Sequence, residues 1–158
     1  MTSPHQPLLN LALHQRTALV TVETARAALG IDADSVLARI DAGLLRWSWD
    51  VSASASPSPS TPSTLREIRL WARELIAPEL CADLDPAHAI RLVIGLDRDR
   101  LRAVEVAQLL LISRPTIMRL VAAGELQGPR MGHAQLVQRP SLAAFLARRL
   151  ISQPLVPA

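Results

Sequence analysis

The chain has 158 residues, of which 49% are hydrophobic, and its 17 basic and 14 acidic groups leave a formal charge of +3. That length suits one domain or two small ones with a real core, and no apolar run approaches the ~18 residues needed to cross a bilayer. A lone cysteine, Cys81, excludes an internal disulfide, and no basic residue precedes Arg16, so an unexported, cytoplasmic protein is expected.

Every basic side chain is arginine. A GC-rich coding bias accounts for that choice over lysine, but not for the distribution. Residues 1–100 hold ten arginines and twelve acids, whereas residues 101–158 hold seven arginines and two acids. The positive field belongs to the last third of the chain.

Residues 1–19 read as a lead-in with one short amphipathic turn near Leu8 and Leu13. The segment VTVETARAALGIDADSVLARIDAGLL, residues 20–45, then superposes at a constant offset of 81 on LRAVEVAQLLLISRPTIMRLVAAGEL, residues 101–126. Leu29, Ile31, Ala42, Gly43 and Leu45 recur as Leu110, Ile112, Ala123, Gly124 and Leu126, positions that a two-helix unit must bury or bend. Self-similarity at fixed spacing is a fold-level signal of duplicated architecture. In the first copy Thr21 caps a helix ending near Leu29, Gly30 supplies a turn, and Asp32 caps a second helix ending at Gly43.

After Gly43 the period becomes two. Leu45, Trp47, Trp49 and Val51 alternate with Arg46, Ser48, Asp50 and Ser52, which predicts a half-buried strand. Residues 52–63 contain only Ser, Ala, Pro and Thr and predict a mobile loop. Residues 66–71 predict the returning strand, and residues 71–80 a helix stopped or kinked at Pro78. The Ser/Pro tract then lies at the tip of a hairpin, as an insertion of twelve residues; the competing reading is a hinge between independent halves. Trp47, Trp49 and Trp71 are either buried in this hairpin or displayed as an interface anchor. Asp85 and Pro86 begin a short amphipathic helix ending at Gly95, which joins the modules.

In the second copy Val106, Ala107 and Leu110 give the first helix an apolar side, Ile112 plugs the turn, and Ser113 caps the next helix, where Pro115 is harmless. Ile117, Leu120 and Val121 form its inward stripe, leaving Arg114, Thr116, Met118, Arg119 and Ala122 outward. A nine-residue helix is ~14 Å long and fits the ~12 Å major groove of DNA. There Arg114 and Arg119 can donate to guanine or phosphate, Thr116 can reach a base or backbone oxygen, and Met118 can meet a thymine methyl; the bland alternative is a solvated helix face. Gly128 and Gly132 permit a hairpin, residues 135–138 a strand, and Leu142, Phe145 and Leu146 a closing helix from Pro140.

Residues 101–149 resemble the excisionase-type helix-turn-helix family, related to winged MerR-like DNA-binding domains. The resemblance rests on Ile112-Ser113-Arg114, the Thr116-Ile117 pair, Gly124-Glu125-Leu126, a wing around residues 130–132, and Pro140-Ser141-Leu142 leading to Phe145-Leu146. It implies groove-facing roles for Arg114, Thr116 and Arg119, and wing contacts to phosphate or the minor groove from Arg130, His133 and Gln135; Ser113 and Met118 complete the expected DNA-contact set. Leu111 replaces the usual turn glycine, and Arg102 stands where a capping Ser or Thr is usual. The first 80 residues match only loosely. Asp32, Asp34 and Asp41 oppose Arg39 alone on the first copy's corresponding helix, so that module is expected to read DNA weakly or not at all.

His5, His14, His88 and His133 are scattered, Cys81 has no metal-ligand spacing, and no phosphate loop, nucleophile elbow or HExxH occurs, so neither enzyme activity, metal nor cofactor is expected. The expected fold is mainly α with small β-hairpin wings, as tandem winged helix-turn-helix modules. Residues 1–19 are the lead-in, 20–82 the first module, 83–100 a connecting helix and turn, 101–150 the second module and 151–158 a tail. The expected function is duplex DNA binding by a bacterial, phage or mobile-element protein, as a homodimer or cooperative oligomer, in transcriptional control or as a recombination directionality factor (excisionase). The rival is a protein-interaction adaptor whose winged modules do not bind DNA.

Overall fold

The computed structural model describes residues 6–14, 17–52, 67–95 and 97–151. The Ser/Pro tract expected to be a mobile loop lies outside the described residues, apart from Ser52. The fold is mixed α/β, with two small antiparallel sheets rather than hairpins alone. The first half contains α1 (Gln6–His14), β1 (Leu19–Thr21), α2 (Val22–Leu29), α3 (Ala33–Asp41), β2 (Ser48–Asp50), β3 (Ile68–Trp71) and α4 (Ala72–Ile76), then a 3-10 turn at Pro78–Leu80. The second contains α5 (Pro86–Ile94), β4 (Arg100–Arg102), α6 (Ala103–Leu110), α7 (Arg114–Ala122), β5 (Arg130–Met131), β6 (Ala134–Gln138) and α8 (Arg139–Arg149). The element order is the same in both, and each sheet places its third strand between the other two.

The offset of 81 extends from β1 and β4 through α2 and α6 to α3 and α7. Strand pairing then gives the length of the insertion. Leu19 lies opposite Trp71 and Arg100 opposite Gln138, so the offset has fallen to 67 by the third strand and the first hairpin is 14 residues longer. The Val51 amide donates to the Glu67 carbonyl at 2.9 Å, placing the tract between paired strands of one sheet.

Four helix starts follow the capping pattern expected from sequence. Thr21, Asp32, Asp85 and Ser113 accept from the amides of Thr24, Ser35, His88 and Thr116 at 3.2, 2.7, 2.7 and 3.3 Å. Helix α6 is started differently, because Arg102 has no side-chain acceptor. Glu105 reaches back instead, accepting from the Arg102 amide at 3.0 Å and pairing with the guanidinium groups of Arg98 and Arg102. The Arg102 backbone bond, followed by the arginine hydrogen bonds, outweighs desolvation and holds the Glu105 carboxyl below its ordinary pKa. A depressed folded pKa gives stability present above the unfolded value near pH 4.5 and lost as pH falls through the folded value. Glu105→Gln, which keeps the capping acceptor but loses the charge, is therefore expected to lower stability by less than about 1 kcal/mol at pH 7 and to narrow the wild-type stability difference between pH 7 and pH 3, measured as urea midpoints.

Several expectations change. Helix α1 is a full element packed on α2 and α4, and α5 packs along α8, so the lead-in and the connector correspond to one another as the opening helices of the two halves. β1 and β4 were not expected as strands. β2 is buried on both faces rather than one: Ser48, Asp50 and Ser52 are enclosed along with Trp47, Trp49 and Val51. The extra cover comes from the end of the chain's last described helix. Leu150 bridges to Trp49, the Ile151 amide donates to the Ser48 carbonyl at 2.9 Å, and Arg149 Nη1 donates to the carbonyls of Asp50 and Ser52 at 3.3 and 2.8 Å. Ile151, assigned to a tail, packs against the first half's core.

The first sheet separates two apolar clusters. Val20, Ile68 and Leu70 pack with Ala25, Val36 and Ile40 of the first half. Leu19, Trp47, Trp49 and Trp71 join Val106, Leu110, Ile117, Leu120 and Phe145 of the second. All three tryptophans are thus buried between the halves. Trp47 stacks on Trp49 at 6.4 Å and meets the edge of Trp71 at 6.3 Å, while its indole N–H donates to the Cys81 carbonyl at 2.9 Å. Cys81 is itself buried, and desolvation pushes its thiol pKa up, which disfavours the reactive thiolate.

Candidate functional site

Helix α7 is presented by the turn that precedes it and the hairpin that follows. α6 ends at Leu111, which adopts φ 55 and is the one non-glycine with positive φ among the described residues. The equivalent position in the first half is Gly30, at φ 69. A left-handed conformation costs a residue with a Cβ roughly 1–2 kcal/mol. Arg69 of β3 meets the strained turn, its Nε donating to the Leu110 carbonyl at 2.9 Å and its Nη2 to the Leu111 carbonyl at 2.7 Å. The Ile112 amide returns to Ala107 at 3.1 Å, and Ser113 begins α7. Gly124, at φ 78, lets the chain leave α7 and bury Leu126.

Ile117 and Leu120 are fully buried and Arg114, Arg119 and Ala122 exposed, as the apolar stripe required, while Met118, expected outward, and Val121, expected inward, are both half-buried. Two proposed contact residues face inward instead. Thr116 is only 8% exposed, with its hydroxyl 2.8 Å from the Ser113 hydroxyl, so it serves the cap of α7. Gln135, also 8% exposed, donates through Nε2 to the carbonyls of Gly128 and Leu136 at 3.1 and 2.8 Å, tying the hairpin base together. Neither side chain is available to meet a nucleic acid. Ser113 is exposed, although its hydroxyl already serves the helix start.

At the other end of the hairpin, Arg130, Met131, Gly132 and His133 are exposed, with Gly132 making the bend at φ 62. Sequence reasoning missed Arg100 here. The β4–β6–β5 order brings its Nη1 to 3.9 Å from Met131 Sδ, adding a guanidinium to the hairpin surface. A three-residue strand shows no period from which that placement can be read.

Four other arginines of residues 101–149 are engaged. Arg102 pairs with Glu105, Arg139 with Asp97, and Arg148 and Arg149 with Glu125. Arg114, Arg119 and Arg130 make no side-chain hydrogen bond or ion pair among the described residues, and neither does exposed Arg91 of α5. In the first half, the positions equivalent to Arg114 and Arg119 are Ala33 and Ala38, both exposed, with exposed Asp34 beside them. The two halves share a backbone, but the face that carries two arginines on α7 carries two alanines on α3, with Asp34 and Arg39 exposed nearby.

Concave surface lies elsewhere. A groove of about 1040 Å³ runs between α5 and α8, lined by Ile90, Ile94, Pro140, Ala143 and Ala147 together with Arg91. No helix among the described residues is long and apolar enough to cross a membrane. No family model, curated protein or solved structure matches the chain.

Proposed function

We propose that the protein binds duplex DNA through its second half, as a tandem winged helix-turn-helix protein in which α6 and α7 form the reading unit and the β5–β6 hairpin the wing. One observation carries this reading: within residues 101–149, the arginines left without an internal partner stand on α7 and the hairpin, while the other four are held in ion pairs. A partnerless guanidinium is a fork of donors suited to phosphate oxygens and to guanine O6 and N7. Arg114 and Arg119 contact the groove, Met118 adds apolar contact, and Arg130, His133 and Arg100 meet the backbone beside it. Thr116 and Gln135 support this surface from within.

The first half, with alanines and aspartates on α3, is a poor reader, since carboxylates facing phosphates repel. A single winged module buries only ~600–1,000 Å² on DNA, so binding as a homodimer or as cooperative neighbours on repeated sites accompanies this reading. Transcriptional control and a recombination directionality role both use such binding, and the resemblance to excisionase-type domains supports either.

Fluorescence titration against duplex DNA at about 50 and 200 mM salt tests the proposal, because phosphate neutralisation makes affinity fall steeply with salt. The Arg114→Ala, Arg119→Ala double variant is expected to bind at least ~30-fold more weakly, at about 1–3 kcal/mol per base-contacting arginine, and with a shallower salt slope. A folded wild-type protein that bound no duplex at the lower salt would point to the protein-interaction adaptor instead.

A further inference from the structure

We propose that Arg69, in the first half, is a positioning residue for the reading helix of the second: it holds the α6–α7 turn, and so fixes how α7 is presented. The consequence for DNA recognition rests on the function proposed above; the consequence for the turn does not. The left-handed backbone of Leu111 is costly for a residue with a Cβ, and the end of α6 leaves carbonyls without intrahelical partners. The Arg69 fork meets both needs, with Nε on the Leu110 carbonyl and Nη2 on the Leu111 carbonyl. A cation at a helix C-terminus is also favoured by the helix dipole.

Arg69 is built into its place. Its side chain is only 10% exposed, its Nη1 donates to its own neighbour's carbonyl at Ile68 at 3.0 Å, and Glu67 lies 3.4 Å from Nη2. β3 positions it, being paired on both sides, with Thr21 and Trp49 opposite Arg69. At the first half's own turn no side chain among the described residues donates to the Leu29 or Gly30 carbonyl, and Gly30 adopts the left-handed conformation without a Cβ penalty. The duplicated units have therefore divided the work: one displays arginines outward, and the other turns an arginine inward to set the first one's geometry.

The test uses the full chain, with Arg69→Lys as the main variant because lysine keeps the charge but cannot fork across two carbonyls. Hydrogen exchange of the amides at residues 111–114 is expected to quicken at least tenfold relative to the core of α8, and affinity for a random duplex of about 30 base pairs at low salt to fall roughly tenfold. Adding Leu111→Gly, which removes the backbone strain, is expected to restore most of the turn protection and most of the affinity. A role in general stability alone predicts uniform loss of protection and no rescue by glycine. Unchanged exchange at the turn, or a loss that Leu111→Gly does not repair, overturns the proposal. Wild-type protein that binds no duplex overturns the DNA reading, while the exchange measurement still decides the clamp.

Discussion

Trp47→Ala is expected to cost about 4 kcal/mol of stability and to bring both halves of the molecule down together. Truncating a fully buried aromatic typically costs 3–5 kcal/mol through lost transfer energy and the cavity left behind. Here the ring is wholly enclosed, stacked on Trp49, edge-on to Trp71, and covered by the Arg46 guanidinium 4.5 Å from its centroid. The Cys81 carbonyl also loses its donor. Since the indole belongs to the cluster that includes Leu110, Ile117 and Phe145, the cavity opens between the halves. Urea denaturation followed by tryptophan fluorescence and far-UV circular dichroism checks this: coincident transitions shifted to lower urea are expected. Two separated transitions, or a loss under about 1.5 kcal/mol, would show that the halves fold independently.

Gly128→Ala is expected to be nearly as damaging, at about 3 kcal/mol, for a different reason. A Cβ at Gly128 would lie 2.7 Å from the Leu136 carbonyl carbon and 2.8 Å from Val137 Cα. Those are backbone atoms of β6, which cannot give way as a side chain would. β6 is held by β4 on one side, by the Leu136 amide to Pro129 at 3.0 Å, and by the Gln138 amide to Gln127 at 2.8 Å. Gly132→Ala is the control. It meets open space, so its cost is limited to the left-handed backbone, about 1 kcal/mol. Thermal unfolding of the two variants should rank them accordingly, and equal shifts would mean that the hairpin base relaxes freely.

The parts of the fold that could be read from sequence were those encoded within a few residues. Caps at Thr21, Asp32, Asp85 and Ser113 and bends at Gly43 and Gly124 are local chemistry, and they recur at one spacing. The apolar stripe on α7 was equally local. Its edges were not: a helical period leaves a flank position free to face either way, and the hydroxyl of the capping Ser113, three residues earlier, draws the Thr116 hydroxyl toward the helix start. Gln135 occupies an alternating strand whose inward side needs a polar partner, but Gly128 and Leu136 carbonyls become that partner only once the hairpin has closed. Ser48 and Asp50 look solvent-facing in an alternating run because their cover arrives from residues 149–151. The Arg69 clamp joins residues 41 and 42 positions apart, and no pattern in a single sequence marks such a pair.

The union of Leu150 and Ile151 with β2 also determines when the molecule becomes safe from its own strands. A bare strand margin offers unpaired amides and carbonyls to any other chain. On this molecule the margin beside Trp49 is closed by residues lying about a hundred positions downstream. During synthesis the first half therefore carries an open seam until α8 has emerged and docked. Protection of that margin is a property of the completed pair of units, and the first half does not carry it alone.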